Sequence, residues 1–240
     1  MGLPGQKFRT RIMKVIWEDG QVATNEYRAR LADLVEPGSK ILHAGCGWDK
    51  NKVSEQFKDS CEVIGIDLDS RVETLFHSEF HLASLESVPL PEKTFDVIIS
   101  EYVFEHLDHP ETVLSEFKRL LKPGGKILVL TPNAYSYKTL AARLTPQQFH
   151  ILMGRHRYGR GHEADMYPTV FRCNVEKTFR TIAKRVGLDV SDVRFMTNGP
   201  TWFAKLPGVF ELFHVFHLGI RRWNVARQLR CAVMVELKHQ

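Results

Sequence analysis

Short apolar runs alternate with stretches of helical spacing from Lys40 onward, and this alternation limits the fold more than any other feature. Apolar runs of strand length predict five strands, at residues 40–45, 62–67, 79–82, 94–100 and 126–131. Their near-continuous apolar character is typical of strands that helices cover on both faces. The sequence therefore predicts an α/β fold with a doubly wound, mostly parallel sheet.

Helical spacing predicts helices between and after these strands. One is expected at residues 110–121, where the Pro-Gly-Gly at 123–125 ends the helix and turns the chain. Another is expected at residues 175–186, capped by Gly187, and a further helix is expected after the first strand. Two more strands are predicted at residues 188–195 and 231–237.

The length of the chain favours a single domain. With 240 residues, 43% of them hydrophobic, the chain is long enough for one well-cored α/β domain and short for two. Three segments elaborate that domain: an N-terminal helical segment at 1–38, a lid insertion at 132–170 and a helical cap insertion at 198–229. The lid is predicted because a long segment of poor periodicity in a compact domain often binds or covers a ligand.

Charge and cysteine usage narrow the choice of partner and compartment. The formal charge is +5, but 33 lysines and arginines are scattered among 28 acidic residues, so no nucleic-acid partner is expected. The four cysteines form no CxxC pair, which argues against a zinc site or a disulfide framework and favours a reducing cytoplasm. The N-terminus has no uninterrupted apolar core, so it does not read as a signal peptide.

A helical stripe of large apolar residues lies in the cap insertion. Its members share one predicted helix face: Val209, Leu212, Phe213, Phe216, Ile220 and Trp223. One interpretation is a helix that covers the core or a substrate pocket, and the other is an amphipathic helix that contacts a membrane surface peripherally. Charged residues and histidines interrupt the run, so the helix is not expected to span a bilayer.

The segment Ile-Leu-His-Ala-Gly-Cys-Gly at 41–47 is a buried strand that ends in a glycine turn. Glycines at 45 and 47 permit a tight turn and the close approach of a ligand to the backbone. Asp67, twenty residues after Gly47, ends the second strand, where a carboxylate can accept both hydroxyls of an adenosine ribose. Lys50 replaces the third glycine of a dinucleotide fingerprint, which favours S-adenosylmethionine (SAM) over NAD.

Five motifs, in order and spacing, resemble the class I SAM-dependent methyltransferases, in particular the methyltransferase type 11 group. They are ILHAGCG, VIGIDLD, LESVPLPEKTFDVIIS, EYVFEHLDHP and LKPGGKILVLTPN. The resemblance covers about residues 27–130 well, and members linked to polysaccharide synthesis look similar around HAGCGWDK. It implies a Rossmann-like, seven-stranded, mostly parallel doubly wound sheet with an antiparallel last strand and SAM as the cofactor.

The resemblance also implies a cofactor-binding set. Its members are His43, Gly45, Cys46, Gly47, Asp49, Asp67, Leu68, Ser84, Leu85, Ser100 and Glu101. The glycines would pass under the methionine portion of SAM, Asp67 would hold the ribose, Leu68 would flank the adenine, and Ser100 with Glu101 would close the site near the sulfonium. Three members depart from the family pattern: His43 and Ser84 replace acids, and Asp49 replaces a small residue. We expect compensation, because Asp49 can supply a carboxylate and the Ser84 hydroxyl still accepts a hydrogen bond.

Three side chains just after the fourth strand, Tyr102, Glu105 and His106, should face the crevice where ligands bind in such sheets. His106 is the predicted general base, with Glu105 as its catalytic neighbour, because an imidazole titrates near neutrality. The competing interpretation is a structural histidine that braces the following helix.

The lid insertion supplies further predicted acceptor contacts, His150, Arg155 and Arg157. Its histidines lack a compact metal-ligand spacing and lie among arginines, so no metal is expected. Arginine forks suit a phosphate or carboxylate on the acceptor. A solvated surface loop is an equally open interpretation.

These observations predict methyl transfer from SAM to a small-molecule acceptor, with a hydroxyl of a sugar or glycan precursor as the first choice. A quinone or lipid ring methylated at the membrane surface is the alternative that the apolar cap helix suggests. A protein of another kind, a SAM-fold binding protein without catalysis, also stays open. The oligomeric state is not predicted.

Overall fold

The computed structural model describes residues 22–49, 52–72, 77–143, 168–197 and 209–239. Three predicted acceptor contacts, His150, Arg155 and Arg157, lie outside the described residues. So do most of the lid insertion, the first part of the cap insertion and residues 1–21. The proposed division into an N-terminal segment, a lid and a cap therefore stays a prediction.

Seven strands form one sheet in the order β3-β2-β1-β4-β5-β7-β6. Their bounds are β1 Lys40–Ala44, β2 Glu62–Asp67, β3 Glu79–Leu82, β4 Phe95–Glu101, β5 Leu121–Pro132, β6 Leu188–Met196 and β7 Ala232–His239. The first five strands pair in parallel, and β7 is antiparallel to both of its neighbours. The Rossmann-like sheet with an antiparallel last strand is confirmed.

Within the described residues, five α-helices accompany the sheet: α1 Val22–Leu34, α2 Pro110–Leu120, α3 Tyr137–Arg143, α4 Glu176–Val186 and α5 Val209–Arg222. One core cluster packs α2 and α4 on one face of the sheet, through residues such as Phe117 and Phe179. A second cluster packs α1 on the other face, through Tyr27 and Leu31. Burial on both faces explains why the strands read as continuous apolar runs.

The Pro-Gly-Gly at 123–125 does not lie in a turn between α2 and the next strand, as predicted, but inside β5. Leu121 already pairs with Phe95, and Lys126 pairs with Val97, so β5 advances five residues while β4 advances two. The extra residues form a bulge, in which Gly124 has a φ of +79°. Periodicity could not reveal this pairing.

Two helix predictions agree with the structure only in part. The helix expected after β1 is a short 3₁₀ helix at Ser54–Phe57 within the described residues. Helix α5 forms as predicted, but its stripe does not cover the core uniformly: Ile220 is buried, whereas Leu212, Phe216 and Trp223 are exposed. The side chains of Val209 and Phe213 lie outside the described set. No helix within the described ranges is long and apolar enough to cross a membrane.

Candidate cofactor and active site

The glycine turn after β1 is shaped by close packing on one side and open space on the other. Gly45 has a φ of +68°, and a Cβ there would collide with the side chain of Val103. Gly47 has a φ of +46°, and a Cβ there would meet only Asp67 Oδ2, at 4.0 Å. The turn therefore requires glycine at position 45 and leaves room for a ligand at position 47.

Asp67 closes this turn from the end of β2. Its Oδ2 accepts a hydrogen bond from the Gly47 N–H at 2.7 Å, and its Oδ1 accepts one from the Asp69 N–H at 2.9 Å. A carboxylate offers about four lone-pair positions in all, so each oxygen keeps capacity for a second donor. The carboxylate is half-buried and fits the two hydroxyls of a ribose, which supports the predicted role.

A second turn follows β2 beside the predicted adenine position. Asp69 accepts hydrogen bonds from the Arg71 N–H at 2.9 Å and from its guanidinium at 2.8 and 2.6 Å. These bonds lower the pKa of Asp69 to about 2, so the carboxylate stays charged. Leu68, between the two aspartates, is exposed and free to flank a ring. The Asp-Ser-Arg after a strand end is a turn signal that could have identified Asp69.

The predicted adenine-edge residues lie in the loop after β3. Ser84 is exposed, and its Oγ accepts a hydrogen bond from the Glu86 N–H at 3.2 Å. Leu85 is buried in the core cluster. Ser84 therefore shapes its own turn and keeps acceptor capacity, while adenine binding by this pair stays a prediction.

His43, the replacement for the family's acid, is buried in a neutral polar cluster. Its Nδ1 lies 2.8 Å from Ser54 Oγ and 3.1 Å from His77 Nε2, and those two atoms are 3.1 Å apart. Burial, reinforced by the neighbouring His77, lowers the pKa of His43 to about 3. Burial also lowers the pKa of His77. This position therefore braces the glycine turn without a charge, and a direct contact with SAM stays a prediction.

Asp49 anchors the chain that returns from the glycine turn. Its carboxylate accepts hydrogen bonds from the Val53 N–H at 2.8 Å and the Ser54 N–H at 3.1 Å. Burial raises its pKa above the usual value. Asp49 thus caps the 3₁₀ helix. Its contact with the cofactor stays a prediction and would be a second role of the same carboxylate. The neighbouring Cys46 thiol is buried, which raises its pKa to about 12 and makes it inert.

The carboxyl end of β4 lies beside the glycine turn, since β4 pairs with β1. Ser100 is buried, and its hydroxyl has no hydrogen-bond partner among the described residues. An orphaned hydroxyl at this position fits a polar group of the cofactor. Glu101 and Tyr102 are half-buried next to it, and Tyr102 has a φ of +57°. Its N–H donates to the Leu130 carbonyl at 2.7 Å, which fixes this turn.

Glu105 lies at the centre of a buried hydrogen-bond network. Its Oε2 accepts a hydrogen bond from Thr131 Oγ1 at 3.0 Å, and Asn174 Nδ2 donates to the same hydroxyl at 2.5 Å. Burial is the main cause of the raised pKa of Glu105. The network joins the ends of β4 and β5 to the segment before α4. Sequence spacing gave no signal for Asn174, because it lies 43 residues from Thr131 along the chain.

His106 is fixed by the same network. Its Nδ1 lies 2.9 Å from the Pro168 carbonyl, which can only accept, so Nδ1 carries the proton. In the neutral ring, Nε2 therefore holds the lone pair, 3.9 Å from Glu105 Oε1. The Glu105 carbonyl accepts the N–H groups of Val170 at 2.8 Å and Phe171 at 3.1 Å. His106 therefore contacts the returning segment at Pro168, and the alternative that it braces the following helix stays a prediction.

A metal site finds no support in the described part of the chain, where no three potential ligands cluster. The structure brings together Gly45, Gly47 and Asp67 at the carboxyl ends of β1 and β2, with Ser100 and Glu105 at the end of β4. The carboxyl ends of parallel strands form the ligand-binding edge in folds of this type.

A sheet of this order and a glycine turn closed by an acid at the end of β2 are typical of the class I SAM-dependent methyltransferase fold. Residues 42–129 match the family model described as a methyltransferase domain. The match spans this part of the chain only and, with the fold, supports S-adenosylmethionine as the cofactor.

Known proteins show the same likeness at different levels. A phosphoethanolamine N-methyltransferase of Triticum aestivum is 32% identical over 119 residues, which are 46% of this chain and 23% of that protein. The chain spans less than half the length of the curated relatives that it matches first. A SAM-dependent methyltransferase from Archaeoglobus fulgidus shares the fold with a TM-score of 0.59 and 18% identity, over 90% of this chain and 94% of that one.

A third comparison concerns a structure with a cofactor product bound. Geranyl diphosphate C-methyltransferase from Streptomyces coelicolor, in complex with Mg²⁺, geranyl diphosphate and S-adenosylhomocysteine, has a TM-score of 0.55 and 15% identity. The alignment covers 90% of this chain and 79% of that one. At this identity, the likeness concerns the fold.

Replacing Asp67 tests the cofactor site. Asp67→Ala should weaken SAM and S-adenosylhomocysteine by about 1 to 3 kcal/mol, because charge-assisted hydrogen bonds to the ribose and to Gly47 are lost. Titration calorimetry measures this change. Asp59→Ala, which removes an exposed carboxylate, is the matched control and should leave the affinity unchanged. Equal affinities for wild type and Asp67→Ala would remove Asp67 from the site.

The neutral His43 should make folding stability depend on pH. Its pKa is lowered from 6.5 to about 3, so between these values the unfolded chain binds a proton that the folded protein does not. Stability is therefore complete above about pH 6.5 and falls as the pH decreases, by about 1.4 kcal/mol per pH unit for one such group. Urea unfolding of wild type and His43→Gln should show a shallower slope in the variant. Exposed His109→Gln is the control, and a slope unchanged by His43→Gln contradicts the account.

Proposed function

We propose that the protein transfers a methyl group from SAM to a small-molecule acceptor, with a hydroxyl of a sugar or glycan precursor as the first candidate. The Glu105–His106 pair carries this proposal. It lies at the end of β4, beside the glycine turn of β1, and the Pro168 carbonyl sets the tautomer of its imidazole. That arrangement suits a group that removes a proton from an acceptor next to the cofactor.

The chemistry needs alignment and a proton acceptor. Bound SAM would supply an electrophilic methyl group, whose carbon the acceptor attacks in line with the bond to the sulfonium sulfur. Asp67 and the glycine turn would hold the ribose and the methionine portion of SAM beside the end of β4. His106 Nε2 would accept the proton that the acceptor hydroxyl loses when its oxygen is methylated.

Glu105 acts as a positioning residue in this scheme. Its Oε2 is held by Thr131, while Oε1 faces His106 Nε2 at 3.9 Å. When the ring takes up a proton, an ionised Glu105 stabilises the imidazolium, and His106 lowers the pKa of Glu105 against the opposing effect of burial.

A second acceptor class, a quinone or lipid, is favoured by the exposed apolar side chains of α5. The C-methyltransferase from Streptomyces coelicolor, which was crystallised with geranyl diphosphate, shares the fold and supports this second class. For either class, the predicted lid contacts His150, Arg155 and Arg157 would hold an anionic group of the acceptor. A cytoplasmic location is part of the proposal and rests on the cysteine usage.

Labelled SAM provides the test of function. The protein is incubated with methyl-labelled SAM and a metabolite extract, and the labelled product is identified. We expect a labelled small molecule from the wild type. Binding of SAM without any labelled product would instead favour a SAM-fold binding protein without catalysis.

His106→Ala should lower turnover of that product about 10²- to 10⁴-fold and leave SAM affinity nearly intact, because the general base is lost. The acidic limb of the pH–rate profile should disappear with it. His109→Ala is the matched control, since His109 is exposed and makes no side-chain cap to α2. A parallel loss of folding stability, with the pH profile of the residual activity unchanged, would assign His106 a structural role only.

A further inference from the structure

Helix α5 presents large apolar side chains to solvent. Leu212 is 70% exposed, Val215 67% and Phe216 46%. Val215 and Phe216 lie three and four positions after Leu212, so both are its neighbours on the helix surface. Trp223 and Val225, just after the helix, continue the surface at 66% and 99% exposure. Side chains this exposed protrude from the surface and do not line a groove.

Positive charge accompanies this surface. Residues 209–230 contain four arginines and one glutamate. Arg222 is exposed at the end of α5, and Arg227 is about half exposed, 3.5 Å from Glu176. An exposed apolar stripe next to a cationic end is the pattern of a helix that lies in the plane of a membrane interface.

We propose that α5 and the turn after it form a docking surface for a lipid bilayer that contains anionic lipids. The apolar stripe inserts between the headgroups, and Arg222 and Arg227 lie at the headgroup level, where anionic lipids attract them. Trp223 lies between the two, in the position that amphipathic rings favour at a membrane interface.

The charge pattern selects this occupant over a second copy of the chain. A two-fold contact pairs this surface with a copy of itself, so Arg222 and Arg227 would meet a surface of the same positive charge. Like charges at an interface disfavour that pairing. A fluid bilayer also accepts protruding side chains without a complementary pocket, which a folded protein partner would have to supply.

The docking surface lies on the ligand-binding edge of the sheet. The Phe216 ring contacts the Tyr137 ring edge-on at 5.5 Å. Tyr137 begins α3, which follows the carboxyl end of β5 after a short turn. Docking would therefore bring the acceptor crevice near the bilayer. This last consequence rests on the proposed function, whereas docking itself does not.

Flotation with vesicles tests the proposal on the whole protein. Phosphatidylcholine vesicles are compared with vesicles in which about a third of the lipid is phosphatidylglycerol. We expect wild type to float with the anionic vesicles, and salt should weaken the binding. Leu212→Glu should lower the vesicle partition coefficient at least about tenfold, because the side chain that inserts into the bilayer becomes a charge. Leu82→Glu, at a leucine 58% exposed on β3, should bind like wild type.

Other outcomes overturn the proposal. No binding to anionic vesicles, or equal binding by Leu212→Glu and wild type, excludes α5 as a bilayer contact. Concentration-dependent self-association that Leu212→Glu abolishes, without vesicle binding, assigns the surface to a second copy. Circular dichroism establishes that each variant is folded. Failure of the labelled-SAM assay leaves vesicle binding intact, so the two proposals fail separately.

Discussion

The hydrogen bond from the Gly47 N–H to Asp67 is the contact on which the cofactor site depends. It spans 2.7 Å and joins the turn after β1 to the end of β2. Because β1 and β2 run parallel and in register, their carboxyl ends meet at one edge, and the carboxylate bridges them. The bond fixes the turn. Because position 47 is glycine, no side chain fills the space beside the proposed cofactor position. A single carboxylate thus fixes the shape of the turn and keeps lone pairs for the ribose.

A second buried hydrogen-bond network joins β5 and the segment before α4 to the segment after β4. Glu105, Thr131 and Asn174 are all buried, so the hydrogen bonds among them are retained only in one arrangement. The Glu105 carbonyl also holds the segment at Val170 and Phe171. His106, fixed by Pro168, depends on that segment in turn. The position of His106 and the segment at Val170 and Phe171 are therefore coupled through Glu105.

The sequence predicted those features of the fold that depend on the local pattern of residues. The bounds of β2 and β3 match the structure, because apolar runs and turn residues delimit them. The Pro-Gly-Gly bulge was missed, since it depends on the pairing of Leu121 with Phe95 across the sheet. His77 beside His43, 34 residues away, gave no local signal. For α5, periodicity identified which residues share a face but could not reveal that Leu212 and Phe216 face solvent, because burial depends on what packs against the helix.

The central claim is that Asp67 and the glycine turn hold the cofactor. A crystal structure with S-adenosylhomocysteine tests it most directly, because it locates the ligand itself. The account predicts both ribose hydroxyls within hydrogen-bond distance of Asp67, the adenine against Leu68 and the sulfur near Ser100. A ligand bound elsewhere, or a ribose that makes no contact with the Asp67 carboxylate, would contradict it.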